Sequence, residues 1–212
     1  RWNVVKLGDV ILDIKDGGTP SRANKDYFGG DINWCVVKDI KPIITSTSES
    51  LTELGLKNCS AKVWQVDSII ISLGATIGNV GIAKIPLATK QGLSGIVPDK
   101  TKILPKYLYY LLEASREKIQ SFASGVTIKE VRPSKLIELL RLPLPPLSVQ
   151  DEIVDELDSY QKIIDGARQV VENYKPRIDI DPEWKMVELG EICKIQSGGT
   201  PSRNISEYWN GE

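Results

Sequence analysis

The chain writes the opening of one module twice. Residues 2–31 read WNVVKLGDVILDIKDGGTPSRANKDYFGGD, and residues 184–212 read WKMVELGEICKIQSGGTPSRNISEYWNGE. Trp2 matches Trp184, Leu7-Gly8 match Leu189-Gly190, and Gly17-Gly18-Thr19-Pro20-Ser21-Arg22 match Gly198-Gly199-Thr200-Pro201-Ser202-Arg203. An aromatic pair follows in each copy, Tyr27-Phe28 and Tyr208-Trp209, and the first copy holds one extra residue between Gly8 and Gly17. The offset between Gly17 and Gly198 is 181 positions. Solenoid repeats recur every 20 to 50 residues or so, so this period marks a whole module starting again.

The pattern between the two copies is mixed. Val4–Ile14 is rich in Val and Ile and predicts a strand, or a short helix leading into one. GGTPSR predicts a turn, with glycine supplying an unusual φ and proline fixing one. Strands are expected at Ile32–Val37, Ala61–Val63, Asp67–Ser72, Val80–Ile85 and Ile96-Val97, with a turn through the SLGATIGN stretch. Leu104–Ser121 predicts one helix, with Tyr107, Leu108, Leu111, Leu112, Ser115 and Ile119 on a single face. Leu139–Leu147, rich in Pro and Leu, predicts an extended connector.

Beyond that connector the period changes. Ser148-Val149-Gln150-Asp151 has the form of a helix N-terminal capping box. Ile153, Leu157, Tyr160, Ile164, Ala167, Val171 and Tyr174 then follow at alternating spacings of four and three. This is a heptad seam, and a helix over 148–175 would be about 42 Å long at 1.5 Å per residue. One alternative is a surface helix packed on its own domain; the 3.5-residue period favours contact with another helix.

Catalysis finds no support. The sequence holds no His, which removes His bases, His triads and His metal sites. Cys35, Cys59 and Cys193 are too far apart for a metal knuckle and are expected as buried or half-buried free thiols in a reducing compartment. No phosphate-binding glycine loop is present, and Pro98-Asp99 has its nearest E-x-K only at Glu183-Trp184-Lys185. Asp179 and Asp181 lack the further ligands of a calcium loop. No apolar run reaches the roughly 20 residues of a membrane helix, and the start of the chain has no signal-peptide pattern. Met186 is the single methionine, which leads to the expectation of a processed chain or a piece of a longer product. The net charge of −1 conceals two parts: residues 1–147 carry 20 basic and 14 acidic side chains, residues 148–212 carry 7 and 14. A basic body beside an acidic helix and tail is the footprint expected if the body alone meets phosphate.

In this order the motifs resemble the DNA-specificity (S) subunits of type I restriction–modification systems. The residues carrying the resemblance are the repeated W-x-x-V-x-L-G and GGTPSR, Ser72-x-Gly74-Ala75-Thr76-Ile77-Gly78, Lys90-Gln91-Gly92, Gly125-Val126-Thr127, and Leu142-Pro143-Leu144-Pro145-Pro146-Leu147 with Gln150 just beyond. Val149 stands where the family usually has Glu. The resemblance implies an α+β chain. Residues 1–147 would be a mixed α/β target recognition domain, 148–175 a coiled-coil spacer helix, 176–183 a linker, and 184–212 the start of a second recognition domain. It implies a cytoplasmic, non-catalytic subunit whose partners are double-stranded DNA, methyltransferase (modification) subunits and restriction subunits. S-adenosylmethionine and ATP belong to those partners, so neither a cofactor nor a metal is expected on this chain.

Each recognition domain of the family reads one half of a bipartite site. With one full domain here, the seam predicts a homodimer through the spacer helix, reading a symmetric interrupted site. Candidate DNA contacts are the polar and basic side chains near turns of the basic body: Arg22, Lys25, Lys38, Lys41, Thr76, Lys90, Gln91, Lys129 and Arg132. The alternative is a protein-interaction scaffold with a dimerising helix; salt dependence of DNA binding separates the two.

Overall fold

Ile69, Ile70 and Ile71 are consecutive and fully buried. Successive side chains of a strand point to opposite faces, so three buried in a row require cover on both sides. The computed structural model, which describes residues 2–74, 76–125, 129–175 and 180–209, supplies that cover. Strands β1 (Asn3–Lys6) and β2 (Ile11–Asp16) flank a 3₁₀ turn at Leu7–Val10. A 3₁₀ turn at Lys25–Tyr27 leads into β3 (Phe28–Cys35), and another follows at Val37–Asp39. Next come β4 (Ile43–Ile44), β5 (Glu49–Leu51), α1 (Glu53–Lys57) and β6 (Val63–Trp64). The central run is β7 (Ile69–Ser72), β8 (Val80–Ala83), β9 (Leu87–Thr89) and β10 (Leu93–Pro98). Helices α2 (Pro105–Ala114), α3 (Arg116–Ser121) and α4 (Pro133–Leu139) precede β11 (Arg141–Leu144) and α5 (Leu147–Asn173).

Three sheets result, ordered β2-β10-β7-β8-β4, β5-β3-β9-β6 and β1-β11. Ile69, Ile71 and Ile96 face a core completed by Tyr107, Leu108 and Leu112 of α2, Ile119 of α3 and Leu136 of α4. On the opposite face Ile70 and Leu93 pack with Cys35, Trp64 and Leu87 of the second sheet. The five-stranded sheet is therefore the middle layer, with helices on one side and the four-stranded sheet on the other. Gly95 of β10 makes the sheet-to-sheet contact close. A Cβ there would lie 2.1 Å from Trp64 Cε2, so the indole lies against bare backbone, with its Nε1 donating to Thr89 Oγ1 at 3.2 Å.

Several sequence expectations are adjusted. The helix expected over Leu104–Ser121 is two helices, α2 and α3, broken at Ser115, whose φ and ψ of −93° and 8° leave the helical region. The connector expected over Leu139–Leu147 begins in α4, is extended from Leu140 through β11, which pairs with β1 from Asn3↔Leu144 to Lys6↔Arg141, and ends in α5 at Leu147. Ser148 lies inside α5 and does not cap it; Pro146 O already accepts from the Val149 and Gln150 N–H groups at 3.0 Å each. Cys35 is buried and Cys59 half-buried as expected, whereas Cys193 is exposed. Residues 176–179 of the expected linker lie outside the described residues, as do Ala75, Val126 and Thr127 of the motifs.

By internal contact the chain divides into two units, Arg1–Ala167 and Arg168–Glu212. In the first, Gln150 is fully buried and ties α5 to the body. Its Oε1 accepts from Leu104 N–H at 2.9 Å, and its Nε2 donates to Lys102 O and Pro145 O at 2.9 Å each. Val154 is buried in the helical core, and Asp158 accepts from Tyr110 OH at 2.6 Å and pairs with Lys106. Further along α5, Tyr160, Ile163 and Ile164 are exposed. In the second unit Val170, Val171 and Tyr174 are exposed, and the chain forms α6 (Leu189–Ile192) and a 3₁₀ turn at Ser206–Tyr208.

Two substitutions test these joints. Gly95→Ala, which drives a methyl into the Trp64 ring, is expected to lower the unfolding free energy by about 1–3 kcal/mol in urea titrations. Gln150→Ala leaves the Leu104 N–H and the Lys102 and Pro145 carbonyls without this partner and is expected to cost about 2–4 kcal/mol by the same measurement. A loss under about 0.5 kcal/mol, typical of surface changes, would contradict either account.

Candidate nucleic-acid interface

The two glycines of GGTPSR are there for contact and not for an unusual φ. Among the described glycines positive φ occurs at Gly29, Gly78, Gly92 and Gly125, not at Gly17 or Gly18. A Cβ on Gly17 would lie 2.2 Å from Thr89 O, and one on Gly18 would lie 2.4 Å from Ala61 N. Bare backbone lets Gly17 N–H reach Leu93 O at 3.0 Å and Gly18 N–H reach Thr89 O at 2.9 Å. Gly18 O in turn accepts from the buried Trp34 indole at 3.2 Å. The motif is thus stitched to β9, β10 and β3, which fixes where the next residues emerge.

Arg22 emerges from it onto an aromatic surface. Its guanidinium carbon lies 4.8 Å from the Phe28 ring centroid and 5.0 Å from that of Trp34, and its Nη1 donates to Glu49 Oε2 at 2.6 Å. Lys38 stands on the 3₁₀ turn after β3, which Asp39 holds by accepting from Val36 N–H at 3.0 Å and Ser48 N–H at 3.2 Å. Lys90 follows β9, its N–H donating to Cys35 O at 3.0 Å. Arg22, Lys38 and Lys90 all act on Glu49. Its carboxyl is held below the ordinary range, chiefly by the Arg22 hydrogen bond and further by the charges of Arg22, Lys38 and Lys90, against partial desolvation. Three candidates therefore share one neighbourhood, and Lys38 and Lys41 line one cleft with Asp39 and Thr45.

A second group gathers where two turns cross. Gly92, at φ +86°, lets the Lys90-Gln91-Gly92 turn bend back, so that Gly92 O accepts from Leu73 N–H at 2.9 Å and Gly74 N–H at 3.2 Å. Thr76 lies on the turn after β7, its carbonyl accepting from Ser72 Oγ. Leu73 O accepts from Val131 N–H at 2.8 Å, and Ser124 and Glu130 exchange both backbone bonds, which brings Lys129 and Arg132 alongside. Lys25 sits on the 3₁₀ turn packed near α1, and no side-chain hydrogen bond or ion pair among the described residues ties it to either group.

Ion pairs neutralise several other cations of the body. Lys84 and Lys100 share Asp67, Lys62 pairs with Asp13, Lys102 with Asp99, Lys106 with Asp158 and Arg116 with Glu113. Asp67 is correspondingly held below its ordinary pKa by hydrogen bonds from Lys100 and Lys84. Of the basic candidates, only Arg22 is in an ion pair among the described residues. The positive charge left without a partner thus includes the turn residues Lys38, Lys41, Lys90, Lys129 and Arg132. Sequence reasoning missed Glu49; only its place on β5 beside β3 reveals its role. Burial pushes the Cys35 thiol up to about 12, with the Asp39 charge adding to the rise, so it is not an activated nucleophile. Among the described residues, no acidic or thiol cluster is placed to hold a metal ion and no helix is long and apolar enough to cross a membrane.

A mixed α/β body bearing unpaired turn cations and a long exposed helix matches known proteins in both sequence and fold. Residues 1–173 match the family described as Type I restriction modification DNA specificity domain, and the chain belongs to that family. The MjaIX specificity subunit of a type I restriction enzyme from Methanocaldococcus jannaschii is 30% identical, over 96% of this chain and 54% of its own length. The HindI specificity subunit from Haemophilus influenzae is 31% identical, over 59% of this chain and 28% of its own. The chain spans about half or less of the length of these curated relatives. Among solved structures, the HsdS subunit from Thermoanaerobacter tengcongensis has a TM-score of 0.62 at 23% identity, covering 80% of this chain and 39% of that one. The S subunit of a type I restriction-modification system from M. genitalium has a TM-score of 0.57 at 20% identity, covering 81% and 42%. At these identities the likeness is one of fold.

Because Glu49 titrates below its ordinary value when folded, its pairing with Arg22 favours the folded state above the ordinary carboxylate range. That contribution is lost as pH falls through the lowered folded pKa. Replacing Arg22 with Ala is expected to move the Glu49 titration upward in carboxyl-carbon NMR. A titration that does not move would rule out Arg22 as its main cause.

Proposed function

We propose that the chain is a non-catalytic DNA-recognition subunit that reads one half of a bipartite site. In this reading residues 1–147 form the recognition domain, 148–175 the spacer, 176–183 a linker and 184–212 the start of a second recognition domain. The carrying observation is the convergence of candidate residues: Arg22, Lys38 and Lys90 around Glu49, and Gln91, Thr76, Lys129 and Arg132 around the adjoining crossed turns. Lys and Arg neutralise phosphate, while Arg and Gln can also donate to guanine and adenine edges in the major groove. The chain's chemistry is recognition and positioning; methyl transfer and cleavage, with S-adenosylmethionine and ATP, fall to modification and restriction subunits in the cytoplasm.

The spacer reading rests on α5. Its 27 residues rise about 40 Å, slightly more than one DNA turn of about 34–36 Å. The expected seam of Ile153, Leu157, Tyr160, Ile164, Ala167, Val171 and Tyr174 begins half-buried at Ile153 and Leu157 and is exposed from Tyr160 onward. A second copy of the chain paired along that seam would bury it and present two recognition domains to the two halves of a symmetric site.

Two experiments test this. Affinity for duplex DNA is expected to fall steeply between about 50 and 200 mM salt. Lys38→Ala and Lys90→Ala should each weaken binding and lower the salt slope by about one. Binding that ignores salt, or none, would favour a protein-interaction scaffold. Solution mass is expected to show a dimer that Leu157→Asp with Ile164→Asp converts to monomer; a dimer that survives both changes would overturn the seam.

A further inference from the structure

Glu49 lies among cations on a face that the proposed function assigns to a polyanion, and an acidic side chain there works against binding unless it performs another task. Arg22 carries five N–H donors, and among the described residues only Nη1 is used, toward Glu49 Oε2 at 2.6 Å. Its side chain is 52% exposed, and Phe28 and Trp34 lie under the guanidinium at 4.8 and 5.0 Å. The arginine is thus held at two points, by a carboxylate and by an aromatic surface, with its remaining donors open. Lys38 and Lys90 stand near the same carboxylate with no ion-pair partner among the described residues.

We infer that Glu49 is a positioning residue, which holds Arg22 over Phe28 and Trp34 so that its free donors meet a phosphate of the DNA backbone. This rests on the DNA-recognition reading. A free arginine loses much rotamer freedom on binding, whereas one already fixed loses little, so its hydrogen bonds to phosphate come at lower entropic cost. Phosphate is favoured over a base edge because the motif is repeated. Arg203 stands in the second GGTPSR with Tyr208-Trp209 beyond it, as Arg22 stands before Tyr27-Phe28. A contact written identically into both copies suits the backbone, which presents the same group at every base pair, and not base edges, which differ between sites.

The test separates the charge of Glu49 from its hydrogen bond. Glu49→Gln removes the charge and keeps an oxygen to accept from Arg22; Glu49→Ala removes both. Binding of the full chain to a labelled duplex of mixed sequence is measured by fluorescence anisotropy across a salt series. Glu49→Gln is expected to bind as tightly as wild type or more so. Glu49→Ala is expected to bind about 3- to 10-fold more weakly than Glu49→Gln. In an Arg22→Ala background, itself weaker with a salt slope lower by about one, the two Glu49 variants are expected to coincide. Equal affinities of the two variants with Arg22 present would overturn the inference and leave the DNA reading standing. A difference that persists without Arg22 would assign Glu49 to the fold and also overturn it. No salt-dependent binding by wild type at low salt would remove both.

Discussion

The side-chain amide of Gln150 joins the long helix α5 to the α/β body. A buried amide left unpaired is costly, and this one satisfies its acceptor and both donor directions on backbone groups of two separate segments, 102–104 and Pro145. It therefore fixes the first turn of α5 against the start of α2 and the end of the proline connector. Val154 and the Asp158 contacts to Tyr110 and Lys106 extend that docking by two more turns. Beyond them α5 contributes little to its own body and exposes Tyr160, Ile163 and Ile164. A helix rooted at one end with apolar side chains exposed further along is what the proposed spacer role asks of it.

The body solves a separate problem, which is where to leave charge unpaired. Its excess of basic side chains is modest, and part of the positive charge is neutralised locally. Asp67 alone holds two lysines. The turns after β3 and β9 keep Lys38 and Lys90 out of ion pairs among the described residues. The backbone bonds that cross between Leu73, Gly92 and Val131 gather the turns after β7 and β9. Potential at a surface depends on the charges left over, and the proposed interface is a place where several of them lie close together.

Much of this was legible beforehand. The buried face of α2 and α3 followed from apolar spacing: Tyr107, Leu108, Leu112 and Ile119 are all buried. The long helix followed from its heptads. The break at Ser115 was not legible, since the spacing continues through it. Nor was α4, whose seven residues are too few for a clear period. The glycines of GGTPSR were misjudged for a physical reason. Glycine serves both unusual φ and close approach, and sequence alone does not tell them apart; the choice is made by β9 and β10, which lie distant in sequence. Glu49 carries no signal at all until β5 pairs with β3 and sets it beside Arg22.

The repeat separates local from tertiary control within one chain. Leu7–Val10 and its match Leu189–Ile192 both form a single helical turn, and Lys25–Tyr27 and its match Ser206–Tyr208 both form a 3₁₀ turn. Even the backbone bonds recur: Asn24 N–H to Ser21 O and Tyr27 N–H to Asn24 O are matched by Ile205 N–H to Ser202 O and Tyr208 N–H to Ile205 O. These bonds span three residues, so the sequence determines them wherever it occurs. The strands do not recur. Asn3–Lys6 is a strand because β11 pairs with it, while 185–188 has no strand, and Leu7, fully buried, has as its match Leu189 at 59% exposure. Strand and burial need partners from elsewhere in the chain, and only the tertiary structure provides them.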